Sequence, residues 1–256
     1  AGQRPLVFTK CGLVWEEGQR RGEPRRDLRS ESIRRECEAS LRRLGVEVID
    51  LYQFHWPDEL GTPVEESWGT MLQLVAEGKV RAGGVSNFDV PLLERCEAVG
   101  HVTSLQPPLS LIDRRAAADV IPWCGAHGTG VIVYSPMHSG LLTGAFSAER
   151  IAALAEDDWR PRSADFQPPR LERNLALVEE LRPIAARRGI GLPALAVAWT
   201  LAFPEVTGAI VGARSPEQVD GWIAAASVEL DAQDLADIAA AIERTGAGRG
   251  PTGPVE

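Results

Sequence analysis

The stretch Val48-Ile49-Asp50-Leu51-Tyr52-Gln53-Phe54-His55-Trp56-Pro57-Asp58 decides the fold. Its apolar, β-favouring residues read as a buried strand, and Pro57 breaks it just after His55 and Trp56. A histidine delivered to the end of an apolar strand is well placed for chemistry, and the segments on either side are read from it.

Upstream, Leu6-Val7-Phe8-Thr9 reads as a first strand that ends at Lys10, followed by a glycine-containing basic loop to about Arg29. From Ser30, apolar Ile33, Cys37, Leu41 and Leu44 recur as a helical stripe, with Glu31/Arg35 and Glu38/Arg42 spaced as i,i+4 pairs on the other side. The nine arginines between Arg20 and Arg43 therefore read mostly as a solvated face.

Downstream, Thr62-Pro63-Val64-Glu65 has the signature of a helix start, with Thr62 as the capping residue and Pro63 at the first helical position. A strand over residues 80–85 runs into Ser86-Asn87-Phe88, a helix spans 90–98, a short strand carries Gln106, and a helix near 117–127 precedes a strand ending at Tyr134. Residues 157–170 read as a long functional loop, helices follow near 171–188 and 192–202, and a last strand over 209–211 enters Gly212-Ala213-Arg214-Ser215-Pro216. Pro216 suits a helix start, and Asp231 caps a final helix to about Arg244. The domain is expected to cover residues 1–244, and residues 245–256, rich in Gly and Pro, are expected to form a flexible tail.

At 44% hydrophobic and 25% charged, a 256-residue chain can bury a full core. The net charge of -9 disfavours nucleic acid or an anionic membrane as the main partner. No apolar stretch approaches the ~20 residues that cross a bilayer. The first residues lack the shape of a signal peptide, so the protein is expected to be cytoplasmic. Its state as monomer or homo-oligomer is left open. Four cysteines without a CxxC pair indicate neither a disulfide framework nor a zinc cage, and Cys124 and His127 read as neighbours on a helix face.

Strands and helices alternate, each strand nearly all apolar, which argues an α/β fold with a parallel sheet covered by helices. The strand ends present Lys10, His55, Ser86, Asn87, Gln106, Tyr134, Ser135, Gly212 and Arg214. Such a rim is what a (β/α) barrel uses for its active site. An open doubly wound sheet is the rival, but no G-x-G-x-x-G follows a first strand.

Six spaced motifs carry a family resemblance. They are F-T-K ending at Lys10, Q-F-H-W-P-D around His55, G-K-V-R-A-G-G-V-S-N-F from Gly78 to Phe88, Gln106, Y-S-P-M-H-S-G-L-L-T-G from Tyr134 to Gly144, and V-G-A-R-S-P-E-Q from Val211 to Gln218. In these the chain resembles the aldo-keto reductases. The resemblance implies the (β/α)8 TIM barrel family, here with about six of the eight βα units. It further implies an NADP-dependent oxidoreductase in which NADPH passes hydride to an aldehyde or ketone.

By resemblance, Lys10 and His55 are the catalytic residues present. Ser86, Asn87 and Gln106 would hold the carboxamide, and Tyr134 would stack on the nicotinamide. Ser135, Met137, Ser139, Gly140 and Leu142 would wrap the pyrophosphate. Gly212, Arg214 and Gln218 would meet the adenosine phosphate, with Arg214 favouring NADPH over NADH. Trp15 and Trp56 would wall the substrate pocket, with no metal involved. Trp222 departs from an asparagine often met near the adenine. The family's catalytic tyrosine and aspartate belong to elements ahead of Lys10 and have no match here, so a nucleotide-binding protein with little turnover is the alternative. A Schiff-base aldolase using Lys10 is a remoter one.

Overall fold

The computed structural model describes residues 4–15 and 22–254. Part of the basic loop before Arg29 therefore lies outside the described residues. The chain divides into two compact units, residues 1–107 with 123–131, and residues 108–122 with 132–256.

The first unit begins with β1 (Phe8–Cys11), then a small antiparallel ribbon of β2 (Leu13–Val14) and β3 (Arg25–Arg26). It continues with α1 (Ser30–Leu44), β4 (Ile49–Phe54), α2 (Val64–Ala76), β5 (Val80–Ser86), α3 (Val90–Val99) and β6 (Ser104–Gln106). After α4 (Val120–His127), β7 (Gly130–Tyr134) starts here, and Gly130 and Val131 pair with Ser104 and Leu105. Outside the ribbon, the pairs β1–β4, β4–β5, β5–β6 and β6–β7 are all parallel and follow chain order. That is the arrangement which alternating strand and helix predict.

Every residue of β4 is buried. Asp50 sits in that strand because Arg4 grips it with two hydrogen bonds of 2.7 and 2.8 Å and Val7 N–H adds a third. The Arg4 contact holds the Asp50 carboxyl down at about 2. The α1 stripe is as expected at Ile33 and Cys37, which are fully buried, whereas Leu44 is exposed where the helix ends at left-handed Gly45.

Thr62 is not the cap of α2. Pro63 occupies the capping position with no side-chain hydrogen bond, and Asp58 instead accepts from the N–H groups of Leu28, Leu60 and Thr62. An ionised carboxylate is a stronger acceptor than a threonine hydroxyl, and it organises the whole turn.

Gly84 in β5 marks a close approach. A Cβ there would lie 2.7 Å from the Ser104 carbonyl oxygen and 3.2 Å from Gln53 Cγ. Backbone on a paired strand cannot swing away, so Gly84→Ala is expected to cost about 1–3 kcal/mol. Chemical denaturation of the two proteins checks this, and an unchanged midpoint would show that the sheet relaxes.

The second unit contains α5 (Ala148–Ala152), α6 (Arg170–Arg187), α7 (Leu192–Leu201), β8 (Val206–Ile210), α8 (Pro216–Ile223) and α9 (Ala232–Thr245). Strand β8 starts three residues before the expected 209. Asp231 caps α9 as predicted, in a reciprocal capping box with Asp234. The expected 157–170 loop contains two short 3-10 turns, Arg160–Arg162 and Ala164–Phe166.

The flexible tail expected after residue 244 needs correction for residues 246–254. Arg114, 3% exposed, donates to the carbonyls of Ala247, Gly250 and Pro251 and of its own neighbour Leu111. Asp113 pairs with Arg249 as a bridge, and Ala247 is buried. A chain rich in Gly and Pro has few helical or sheet bonds of its own, so its carbonyls are available to a buried guanidinium.

Candidate active site

Strand register sets the first cluster. Lys10 of β1 lies opposite Gln53 of β4, and His55 N–H donates to the Cys11 carbonyl at 2.9 Å. Side chains alternate along a strand, so Gln53 and His55 share one face while Tyr52 takes the other. Tyr52 is fully buried beside Cys11, and burial pushes its hydroxyl pKa far up, so it is no acid for His55.

Lys10 and His55 are both half-buried side chains at the C-terminal ends of their strands. Burial lowers the Lys10 pKa from its usual value. Burial also lowers His55, and the Lys10 charge lowers it further, which places the two groups within electrostatic reach of each other. His55 is therefore neutral at pH 7, with one ring N–H to donate.

A buried polar chain supports this face. Gln106 Nε2 donates to Gln53 Oε1 at 2.8 Å, and Gln53 Nε2 donates to Ser104 Oγ at 3.2 Å. Ser86 Oγ donates to the Gln106 carbonyl at 2.7 Å. Asn87 takes a left-handed φ of 62°, a conformation asparagine tolerates better than most residues, and its Nδ2 bonds the His55 carbonyl at 2.9 Å. Ser86, Asn87 and Gln106 are thus tied to His55 through hydrogen bonds. The role of Gln53 was hidden in the sequence, although its alternation with His55 pointed to the same face.

The second unit holds a cleft of about 1200 Å³. Tyr134, Ser135, Met137, Ser139, Gly140, Gly212, Arg214 and Gln218 all line it, together with Trp222. Leu142 does not. It is buried and absent from the cleft lining, because the 3-10 turn after Met137 carries Leu141 and Leu142 into the core. Positive φ at Ser135, His138, Ser139 and Gly140 bends this loop tightly.

Gln218 Oε1 accepts from the Arg214 backbone N–H at 2.8 Å, fixing the turn while the Arg214 side chain stays exposed. Asp158 binds Arg160 through both oxygens and is held at about 2, chiefly by that bond. Asp158, Arg160 and Glu217, all lining the cleft, were not singled out in the sequence, since charged surface residues carry no periodic signal.

The cleft suits a nucleotide on its own features. Its volume exceeds the ~300–1,000 Å³ of ordinary small-molecule pockets. It offers an aromatic ring at Tyr134, a glycine-containing bend and a guanidinium, and the buried Trp222 Nε1 has no partner among the described residues. Trp15 lies on the surface with its indole N–H on the Gly22 carbonyl, and Trp56 lies under the Arg26 guanidinium.

Residues 1–243 match the model of the Aldo/keto reductase family. The chain belongs to the aldo/keto reductases. It is 34% identical to an NADH-specific methylglyoxal reductase of Escherichia coli (strain K12), over 94% of this chain and 76% of that one. It is 35% identical to the aldo-keto reductase YhdN of Bacillus subtilis (strain 168), over 94% and 71%. Among solved structures it superposes on a glycerol dehydrogenase of Gluconobacter oxydans with a TM-score of 0.88 and 36% identity, covering 98% of this chain and 74% of that one. The expected α/β fold of the (β/α)8 barrel family is borne out, and this aldo/keto reductase is an oxidoreductase by family. Among the described residues no helix is long and apolar enough to cross a membrane.

Proposed function

We propose that this aldo/keto reductase reduces an aldehyde or ketone with NADPH, using Lys10 and His55. The observation that carries this reading is the pair itself, two half-buried nitrogen bases at the ends of adjacent parallel strands, with the Lys10 charge adding to the burial that lowers the His55 pKa. Ser86, Asn87 and Gln106 would hold the carboxamide, Tyr134 the ring, the 135–140 loop the pyrophosphate, and Gly212, Arg214 and Gln218 the adenosine phosphate. When bound, the reduced nicotinamide supplies the hydride.

Neutral His55 donates its ring N–H to the carbonyl oxygen, orienting and polarising it. Lys10 places positive charge beside the same oxygen, where its ammonium favours the developing negative charge and gives the proton that completes the alcohol, regained from solvent. Partial burial lowers both pKa values, which keeps His55 neutral and makes Lys10 a readier proton donor. The Escherichia coli relative is named NADH-specific, whereas here the exposed Arg214 guanidinium at the cleft supports NADPH.

Arg214→Ala is therefore expected to weaken NADPH binding about 10–100-fold and NADH binding by less than about threefold, as read by cofactor fluorescence titration. Equal affinity for both cofactors in the unaltered chain, unmoved by the substitution, would reject NADPH preference.

A second reading, nucleotide binding with little turnover, draws on Tyr52. Of the two tyrosines in the chain, that one is turned away from His55 and held against ionisation. Assaying NADPH binding and methylglyoxal reduction on one preparation separates the two readings. Tight binding without turnover selects the second.

A further inference from the structure

Arg26 is a cation of the first unit that the proposed reaction does not use. It sits in β3, opposite Leu13 of β2, in the ribbon that leaves β1. Asp27 N–H donates to the Gly12 carbonyl, which holds the ribbon at the end of that strand. The Arg26 backbone N–H donates to Glu59 Oε1 at 2.9 Å, and Glu59 N–H returns a bond to the Arg26 carbonyl at 3.2 Å. The backbone is thus pinned to the chain just beyond His55 and Trp56. The guanidinium carbon lies 4.7 Å from the centre of the Trp56 ring.

The neighbouring carboxylates are engaged elsewhere. Glu59 takes the Arg26 backbone N–H. Asp58 accepts from the N–H groups of Leu28, Leu60 and Thr62. Asp27 binds the Arg29 guanidinium through both oxygens. Among the described residues, Arg26 makes no ion pair. A guanidinium lying on an indole face has its planar side occupied and its N–H edge open, which is the geometry that grips a carboxylate or phosphate with two parallel bonds.

Trp56 follows His55 directly, so the ring that seats the guanidinium belongs to the residue next in the chain to the one assigned to the carbonyl oxygen. Both Arg26 and Trp56 are partly exposed, so a ligand can reach them. In a chain of net charge -9, a local cation is what an anionic substrate requires to enter.

We infer that Arg26, held on Trp56, is an anion subsite, and that the substrates are carbonyl compounds carrying a carboxylate or phosphate. This rests on the reductase reading of Lys10 and His55. The test compares kcat/KM for 4-carboxybenzaldehyde against benzaldehyde and for glyceraldehyde 3-phosphate against glyceraldehyde, in the unaltered chain, Arg26→Met and Arg26→Lys. At least one anionic member is expected to be preferred tenfold or more. That ratio should fall toward one in Arg26→Met, through KM rather than kcat, and partly return in Arg26→Lys. The pair that shows the preference identifies the anion.

Equal use of both members of each pair, or a ratio that Arg26→Met leaves unchanged, overturns the inference. If no aldehyde is reduced, the reductase reading has failed, and calorimetric binding of 4-carboxybenzaldehyde and glyceraldehyde 3-phosphate judges the subsite by itself. Binding of either compound that is lost tenfold in Arg26→Met supports the subsite. Absent or unchanged binding of both overturns it. Both backbone bonds of Arg26 survive either substitution, so the ribbon keeps its anchor.

Discussion

Lys10→Met and His55→Ala are each expected to lower kcat/KM for carbonyl reduction by roughly 10²–10⁴-fold, the usual contribution of a positioned proton or hydrogen-bond donor. Cofactor affinity should move little, since neither side chain is assigned to the nucleotide. The lysine variant carries a second signature. Part of the lowering of the His55 pKa comes from the Lys10 charge. Removing that charge lets the pKa rise back toward its ordinary value, so more of the imidazole is protonated at a given mildly acidic pH. If neutral His55 is the active form, the acid limb of the pH–rate profile must shift to higher pH in Lys10→Met. A limb that stays in place would mean the groups do not interact, and full turnover in both variants would remove the site assignment.

Arg114→Met is expected to cost about 3 kcal/mol of stability. Burial lowers the guanidinium pKa to about 10, so the folded chain already bears a cost for keeping this charge out of water. Carbonyls of Leu111, Ala247, Gly250 and Pro251 offset that cost by accepting its N–H groups. Methionine fills similar space and donates nothing, which leaves those oxygens unpaired and frees residues 246–254. For a chain this size the loss corresponds to a drop in melting temperature of about 6–12 °C. Hydrogen exchange should show the amide of Arg249, which bonds the Ile112 carbonyl, losing protection first. A variant melting within about 1 °C of the parent would show that the segment holds by other means.

How far the sequence reached depended on the range of each interaction. The strands ending at Lys10 and His55 were legible because apolar runs closed by proline or glycine are local signals. Even the shared face of Gln53 and His55 follows from their spacing. The capping of α2 misled because Thr62 and Pro63 satisfy a local pattern that Asp58, four residues earlier, overrides with its charge. The ends of the chain were legible least. Arg114 and Pro251 are 137 residues apart, and a composition rich in Gly and Pro says how a segment bends but not what it meets. Arg26 was hidden for a similar reason. In sequence it is one arginine among nine, and only its seat on Trp56 and the engagement of its neighbours set it apart. Leu142 shows the opposite error, where a motif read as a unit contains residues with different jobs.

Asp165 has a kinetic meaning. Its carboxylate takes His138 Nε2 at 3.2 Å, Arg170 at 3.3 Å and Arg249 at 3.4 Å, while its carbonyl accepts Asn174 and the far ring nitrogen of His138 meets Ser110 Oγ at 3.1 Å. The loop after Tyr134, the 157–170 segment, α6 and the C-terminal stretch therefore converge on one side chain. The segments cannot part by a single rotamer flip, which takes picoseconds to nanoseconds. They must break several charged bonds together, a collective opening on the microsecond to millisecond scale. On the reading that the cleft beside that loop holds the nucleotide, its release is expected to follow the slower clock, and a substitution at Asp165 is expected to shorten its residence time in stopped-flow release.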